Sequence, residues 1–136
     1  MANMDRAALI DAAIQARSRA WAPYSKFAVG AALLSRDGRI FTGCNVENLS
    51  YGLTICAERN AIFHAVAEGV REFAAIAVVA DTRLPISPCG ACRQVMAEFA
   101  SPNLEVVIGD KNGKEQTWKF KDLLPLAFTP EHLIKK

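Results

Sequence analysis

The sequence predicts an α/β fold, a three-layer α/β/α sandwich around a mixed five-stranded sheet. Three observations predict it. Helical and strand-like patterns interleave, in the order helix, hairpin, helix, strand, helix, hairpin, short helix. The run "FAAIAVVA" at 73–80 is apolar throughout and short, which suits a strand covered on both faces. Two turn signals, "RDG" at 36–38 and "DKNGK" at 110–114, each separate a pair of strand-like runs.

The elements follow in chain order. Residues 4–20 space Ala8, Ile10 and Ile14 near helical periodicity and form the first helix. "WAPYSK" ends it, with Pro23 in a turn or extended segment. "FAVGAALLS" and "RIFTGCNV" are the two arms of the first hairpin. "ENLSYGLT" is a polar loop. A helix runs from about Ile55 to a stop at Gly69. The strand at 73–80 is followed by the loop "DTRLPISP" and a second amphipathic helix, "CGACRQVMAEFA". "LEVVIG" and "EQTWKF" are strands, and "KDLLPLAF" is a short helix or turn broken by Pro125. The charged tail is given no element.

The 136 residues fit one domain, 1–136, with no repeat, low-complexity segment or linker. An apolar content of 51% with 22% charged residues describes a globular chain. That apolar share is high for so small a domain and points to partner subunits covering part of it. The formal charge of +2, without a basic stripe, argues against nucleic acid. No run approaches the ~18 apolar residues of a membrane span, and the N-terminus lacks the pattern of a signal peptide. The expectation is a soluble cytoplasmic protein with reduced cysteines at 44, 56, 89 and 92.

The chemistry centres on "SPCGACRQ", residues 87–94. Cys89 and Cys92 fall on one face of the first turn of a helix, where unpaired N–H groups and the helix dipole favour thiolates. By itself this pair is open to three readings: a redox couple, two packed core thiols, or metal ligands. "TICAERNA" narrows them. Cys56 also sits at a helix start, and Glu58 follows two residues later. Three thiols at two helix N-termini can hold a zinc ion with one position left for water. Zinc-bound water ionises near pH 7, and Glu58 is the adjacent proton carrier. One geometric difficulty stands: residues two apart on a regular helix point roughly 200° apart. Cys56 and Glu58 therefore share a site only if both look past the helix end.

"CAER" together with "PCGAC" resembles the zinc-dependent cytidine deaminases of the small homotetrameric type, whose class pattern is a ligand-x-Glu followed by Pro-Cys-x-x-Cys. "YSKFAVGAALL", "GCNVENLSYGLTICAER", "SPCGACRQV" and "LLPLAF" are also similar to that family, so the resemblance covers nearly the whole chain. It implies Zn2+ held by Cys56, Cys89 and Cys92, with Glu58 as the catalytic proton shuttle. It implies that Arg59 donates to ligand sulfurs, with Gln94 beside it, and that the Ser87 backbone carbonyl orients the leaving amine. Substrate contacts carried over are Phe27 and Ala57 against the nucleoside, and Asn45 and Glu47 on the ribose hydroxyls. Phe128 is carried over as a stacking residue from a neighbouring subunit. Tyr51 is a further contact across an interface. The implied partners are a nucleoside and three further copies of the chain, with shared sites.

The implied reaction is hydrolytic deamination of cytidine and 2′-deoxycytidine, in pyrimidine salvage. A deaminase of the same architecture acting on a cytosine antibiotic such as blasticidin S is the alternative. A polynucleotide-editing member would need added basic and aromatic surface. A structural zinc module would fill the fourth position with protein, and Cys44 is the spare thiol for that role. His64 and His132 are not needed as ligands.

Overall fold

The computed structural model describes residues 5–110, 112 and 114–134. Helix α1 (Arg6–Arg17) leads into strands β1 (Val29–Ser35) and β2 (Ile40–Cys44). A single 3-10 turn (Tyr51–Leu53) precedes α2 (Ala57–Ala67), β3 (Phe73–Ala80) and α3 (Gly90–Phe99). Strands β4 (Glu105–Asp110) and β5 (Glu115–Lys119), then the short helices α4 (Phe120–Leu123) and α5 (Glu131–Ile134), complete the order. The first helix is shorter than its sequence pattern and ends at Arg17; Met4 lies outside the described residues. In the "DKNGK" turn, Lys111 and Gly113 lie outside them too. The tail forms α5, one helical turn too short to leave a periodic pattern.

The sheet order is β2-β1-β3-β4-β5. Only β3 and β4 are parallel, joined through α3; the other neighbours are antiparallel, which makes the sheet mixed. Side chains on β1 and β3 alternate between two cores because strand side chains point to opposite faces in turn. Ala32, Leu34, Ala75, Ala77 and Val79 meet Leu9, Ile10 and Ala13 of α1 on one face. Ala31, Leu33, Ile76 and Val78 meet Ile62 and Ala65 of α2 and Met96 of α3 on the other. That double coverage explains why "FAAIAVVA" is apolar at every position. Each large side chain so buried contributes about 1.5–3 kcal/mol. No helix among the described residues is long and apolar enough to cross a membrane.

Two glycines set how closely the helices approach. A Cβ on Gly30 would lie 1.9 Å from the Ala13 carbonyl of α1. A Cβ on Gly43 would lie 2.4 Å from the Ala61 nitrogen and 2.6 Å from the Ala57 carbonyl, both on the backbone of α2. The absence of a side chain at these two points lets both helices seat directly on the hairpin. Asn60 then pins α2 to the end of β2, donating to the Cys44 carbonyl at 2.8 Å.

Candidate active site

The N-termini of α2 and α3 open at the same end of the sheet, beside the start of β1 and the end of β2. Cys56 is the N-cap of α2, with φ −70° and ψ 157°. Cys89 is the N-cap of α3, with φ −67° and ψ 169°. Both are therefore extended, not helical, and neither side chain caps its own helix. Their thiols turn toward each other instead, 3.8 Å apart. Cys92, fully buried in the first turn of α3, places its Sγ 3.5 Å from that of Cys89. All three sulfurs lie within 4.8 Å of one another. Sulfurs bound tetrahedrally at ~2.3 Å from one zinc stand about 3.8 Å apart, so the trio fits that ion. Cys44 is not part of it: this thiol sits half-buried at the end of β2.

The N-cap conformation also removes the helical-phase difficulty. Cys56 lies outside the helix, so its side chain need not follow the 100° step that separates helical neighbours. Glu58, the second helical residue, is only 4% exposed. Loss of water raises its pKa to about 7, with the nearby Cys56 sulfur adding to the rise. Arg59 donates from Nη2 to the Cys56 sulfur at 3.5 Å. The Cys56 thiol falls to about 5 because Cys92 donates a hydrogen bond to it and Arg59 lies close; Cys92 is pushed up in return. The Arg59 Nε is buried with no hydrogen-bond partner among the described residues.

A cavity of about 360 Å³ opens onto this group. It brings Cys56, Ala57, Glu58 and Cys89 together with Phe27, Asn45, Glu47 and Ser87. Phe27 is 38% exposed there, which rules out the plain core role its strand pattern allows. Asn45 is buried and already engaged with the backbone: Nδ2 donates to the Phe27 carbonyl at 2.8 Å, and Oδ1 accepts from the Val29 N–H at 2.9 Å. Glu47 accepts at Oε1 from the Tyr24 and Ser25 N–H groups, at 3.0 and 3.1 Å, and at Oε2 from the Ser25 hydroxyl. Those bonds, the Ser25 hydroxyl first, hold its pKa below the usual carboxylate range. Tyr51 borders the other side of Glu47 and meets the Tyr24 ring at 5.9 Å.

Two residues of "SPCGACRQ" have tasks that pattern reading missed or placed elsewhere. Arg93 spends its guanidinium on three acceptors: the Pro88 carbonyl at 2.8 Å, the Leu123 carbonyl at 2.6 Å and the Ser87 hydroxyl at 2.7 Å. It ties the turn before Cys89 to the C-terminal segment. An arginine directly after a cysteine of the Cys-x-x-Cys pair, near a helix's start, was the signal available. Gln94 was expected beside the sulfurs; its Nε2 donates to the Phe128 carbonyl at 2.8 Å. Phe128 itself lies outside the cavity of its own chain, 57% exposed, with its ring 5.5 Å from His132. His64 bonds the Thr42 carbonyl of β2 at 3.1 Å, away from the sulfur trio.

Residues 4–109 match the family described as the cytidine and deoxycytidylate deaminase zinc-binding region. The chain belongs to this deaminase family. A cytidine deaminase from Halalkalibacterium halodurans is 56% identical over 130 residues, 96% of this chain and 98% of that protein. A cytidine deaminase from Mycobacterium tuberculosis is 42% identical over the whole chain and 98% of its own length. Among solved structures, a cytidine deaminase from Burkholderia pseudomallei superposes with a TM-score of 0.89 at 59% identity, covering 92% of this chain and all of that one. The mixed five-stranded sheet is thus the deaminase fold, and the sulfur trio with the buried Glu58 lies within the matched zinc-binding region.

Proposed function

We propose that the chain is a zinc-dependent cytidine deaminase that converts cytidine and 2′-deoxycytidine, with water, to uridine and 2′-deoxyuridine and ammonia. The observation that carries this reading is the buried Glu58 beside three sulfurs spaced for one zinc, with Glu58, Cys56 and Cys89 lining a cavity of about 360 Å³. Zinc, when held by Cys56, Cys89 and Cys92, supplies the Lewis acid that makes water nucleophilic at neutral pH. Glu58 moves the protons: it takes one from the attacking water, gives it to the ring nitrogen beside the amino-bearing carbon, and serves the departing amine in turn. Its low exposure keeps competing water away from that exchange.

The other residues hold the substrate. Phe27 and Ala57 pack the nucleoside, Asn45 and Glu47 receive the sugar hydroxyls, and the Ser87 carbonyl accepts from the leaving amine. Arg59 draws charge from the Cys56 sulfur and tempers the anionic trio. Phe128 stacks in the cavity of an adjoining subunit, within a homotetramer of single-domain chains. Its exposure, and that of Trp21, Leu49, Tyr51 and Leu53, supports burial by assembly. The product enters pyrimidine salvage in the cytoplasm. The relatives are cytidine deaminases, which favours the nucleoside over an antibiotic such as blasticidin S.

The test is incubation of pure, zinc-assayed protein with cytidine and, separately, with blasticidin S, following the ultraviolet change on loss of the amine. Turnover of cytidine is expected. A zinc-loaded protein that leaves cytidine unchanged rejects the reading.

A further inference from the structure

The cavity's sugar side is built from one hydrogen-bonded chain, and Ser25 stands at its centre. Its hydroxyl accepts from the Phe27 N–H at 3.0 Å and donates to Glu47 Oε2. A hydroxyl carries one proton, and here it points at the carboxylate. Glu47 Oε1 is filled by the two backbone N–H groups of Tyr24 and Ser25. A carboxylate has about four lone-pair sites, so three are taken and one remains on Oε2. The Phe27 carbonyl, at the other end of the same residue, is held by Asn45. Phe27, Asn45 and Glu47 are thus linked through a single serine on a short turn.

We propose that Ser25 is a positioning residue for sugar recognition, fixing the Glu47 carboxylate so that its one free acceptor site faces a nucleoside hydroxyl. The inference rests on the reading of Glu47 as the sugar-hydroxyl acceptor. Ser25 itself bonds no reacting group. It acts by removing the rotational freedom of Glu47, which would otherwise be lost on binding. An interaction of this kind is the same in ground and transition states, so its loss raises KM and leaves kcat nearly unchanged.

The test compares wild type, Ser25→Ala, Ser25→Thr, Glu47→Gln and the double variant Ser25→Ala/Glu47→Gln. The readouts are KM and kcat for cytidine, and the inhibition constants of uridine and 2′,3′-dideoxyuridine. Ser25→Ala is expected to raise KM and the uridine constant about tenfold, the scale of one hydrogen bond to a charged group. It should change kcat and the dideoxyuridine constant less than twofold. Ser25→Thr, which keeps the hydroxyl, should restore uridine binding. The double variant should match Glu47→Gln alone, because Ser25 then has no carboxylate to hold. Equal losses for uridine and dideoxyuridine, or no loss, overturn the role of Ser25. So does a further loss in the double variant, which would make Ser25 a direct contact. If Glu47→Gln alone leaves uridine binding intact, the sugar reading of Glu47 falls, and the Ser25 proposal falls with it.

Discussion

Replacing Gly43 with alanine tests how the fold delivers its metal ligands. The added Cβ would stand 2.4 Å from the Ala61 nitrogen and 2.6 Å from the Ala57 carbonyl. Both are backbone atoms, so no side chain can swing aside. Ordinary contact begins near 3.4 Å, and α2 must retreat by about 1 Å. Overpacking of this kind costs about 1–3 kcal/mol. For a chain of this size that is roughly 3–10 °C in melting temperature. The larger consequence is chemical. Cys56 and Glu58 ride on the N-terminus of α2, while Cys89 and Cys92 ride on α3. A metal site tolerates about 0.2 Å in its ligand distances, so a 1 Å shift of one sulfur spoils it. Gly43→Ala should therefore fold with weakened zinc retention against a chelator and with turnover reduced at least tenfold. Gly30→Ala is the matched comparison. Its Cβ would strike α1 on the opposite face, at 1.9 Å from the Ala13 carbonyl. That variant should lose melting temperature while its folded fraction keeps zinc. The assays are thermal melting, zinc content per folded protein and cytidine turnover. A folded Gly43→Ala protein with wild-type zinc retention would refute the claim that α2's seat on β2 sets the metal geometry.

Glu58→Gln should bind zinc like the wild type and lose turnover by about 10²–10⁴-fold, the range of positioned proton transfer, measured by the ultraviolet assay. Arg59→Ala should lose zinc faster to a chelator or turn over more slowly, since its donor to the Cys56 sulfur is gone. Cys44→Ala should keep full zinc and full activity, because its thiol lies outside the trio. Arg93→Lys keeps a charge but cannot reach three acceptors in two segments. It should lower the melting temperature and raise the rate of proteolysis near residues 123–128.

The element order and the sheet were legible because hydrophobic period and turn chemistry agree along most of the chain. The strand at 73–80 matches its apolar run residue for residue, since both of its faces are covered. The C-terminal turn α5 was not legible, because four residues complete no period. In the site, spacing offered the three cysteines as one possible metal trio, and the resemblance to the deaminases singled them out. The one obstacle, the helical phase of Cys56 and Glu58, dissolves in the ψ of 157° at Cys56, which no pattern encodes. The tasks of Arg93 and Ser25 were hidden for a different reason. Both act through backbone groups and neighbours distant in sequence, such as Leu123 and Glu47, and composition carries no trace of such bonds.

Placing two ligands at N-caps also answers an electrostatic problem. Three thiolates, Glu58 and Glu47 crowd anionic groups into one end of a small protein, and Arg59 is the cation aimed at the sulfurs. An ordinary N-cap side chain would spend its acceptor on its own helix. Cys56 and Cys89 make no such bond, so their side chains leave the first N–H groups of α2 and α3 uncapped at the helix ends where the sulfurs gather. Each helix then contributes up to about half a positive charge at its start. Two such ends partly offset the net −1 that a three-thiolate zinc carries, and they do so without a side chain that could obstruct the substrate. The same device explains why the chain commits α2 to such close seating on Gly43: the dipole's benefit falls off within the first turn, so the helix end must arrive at the sulfurs and not merely near them.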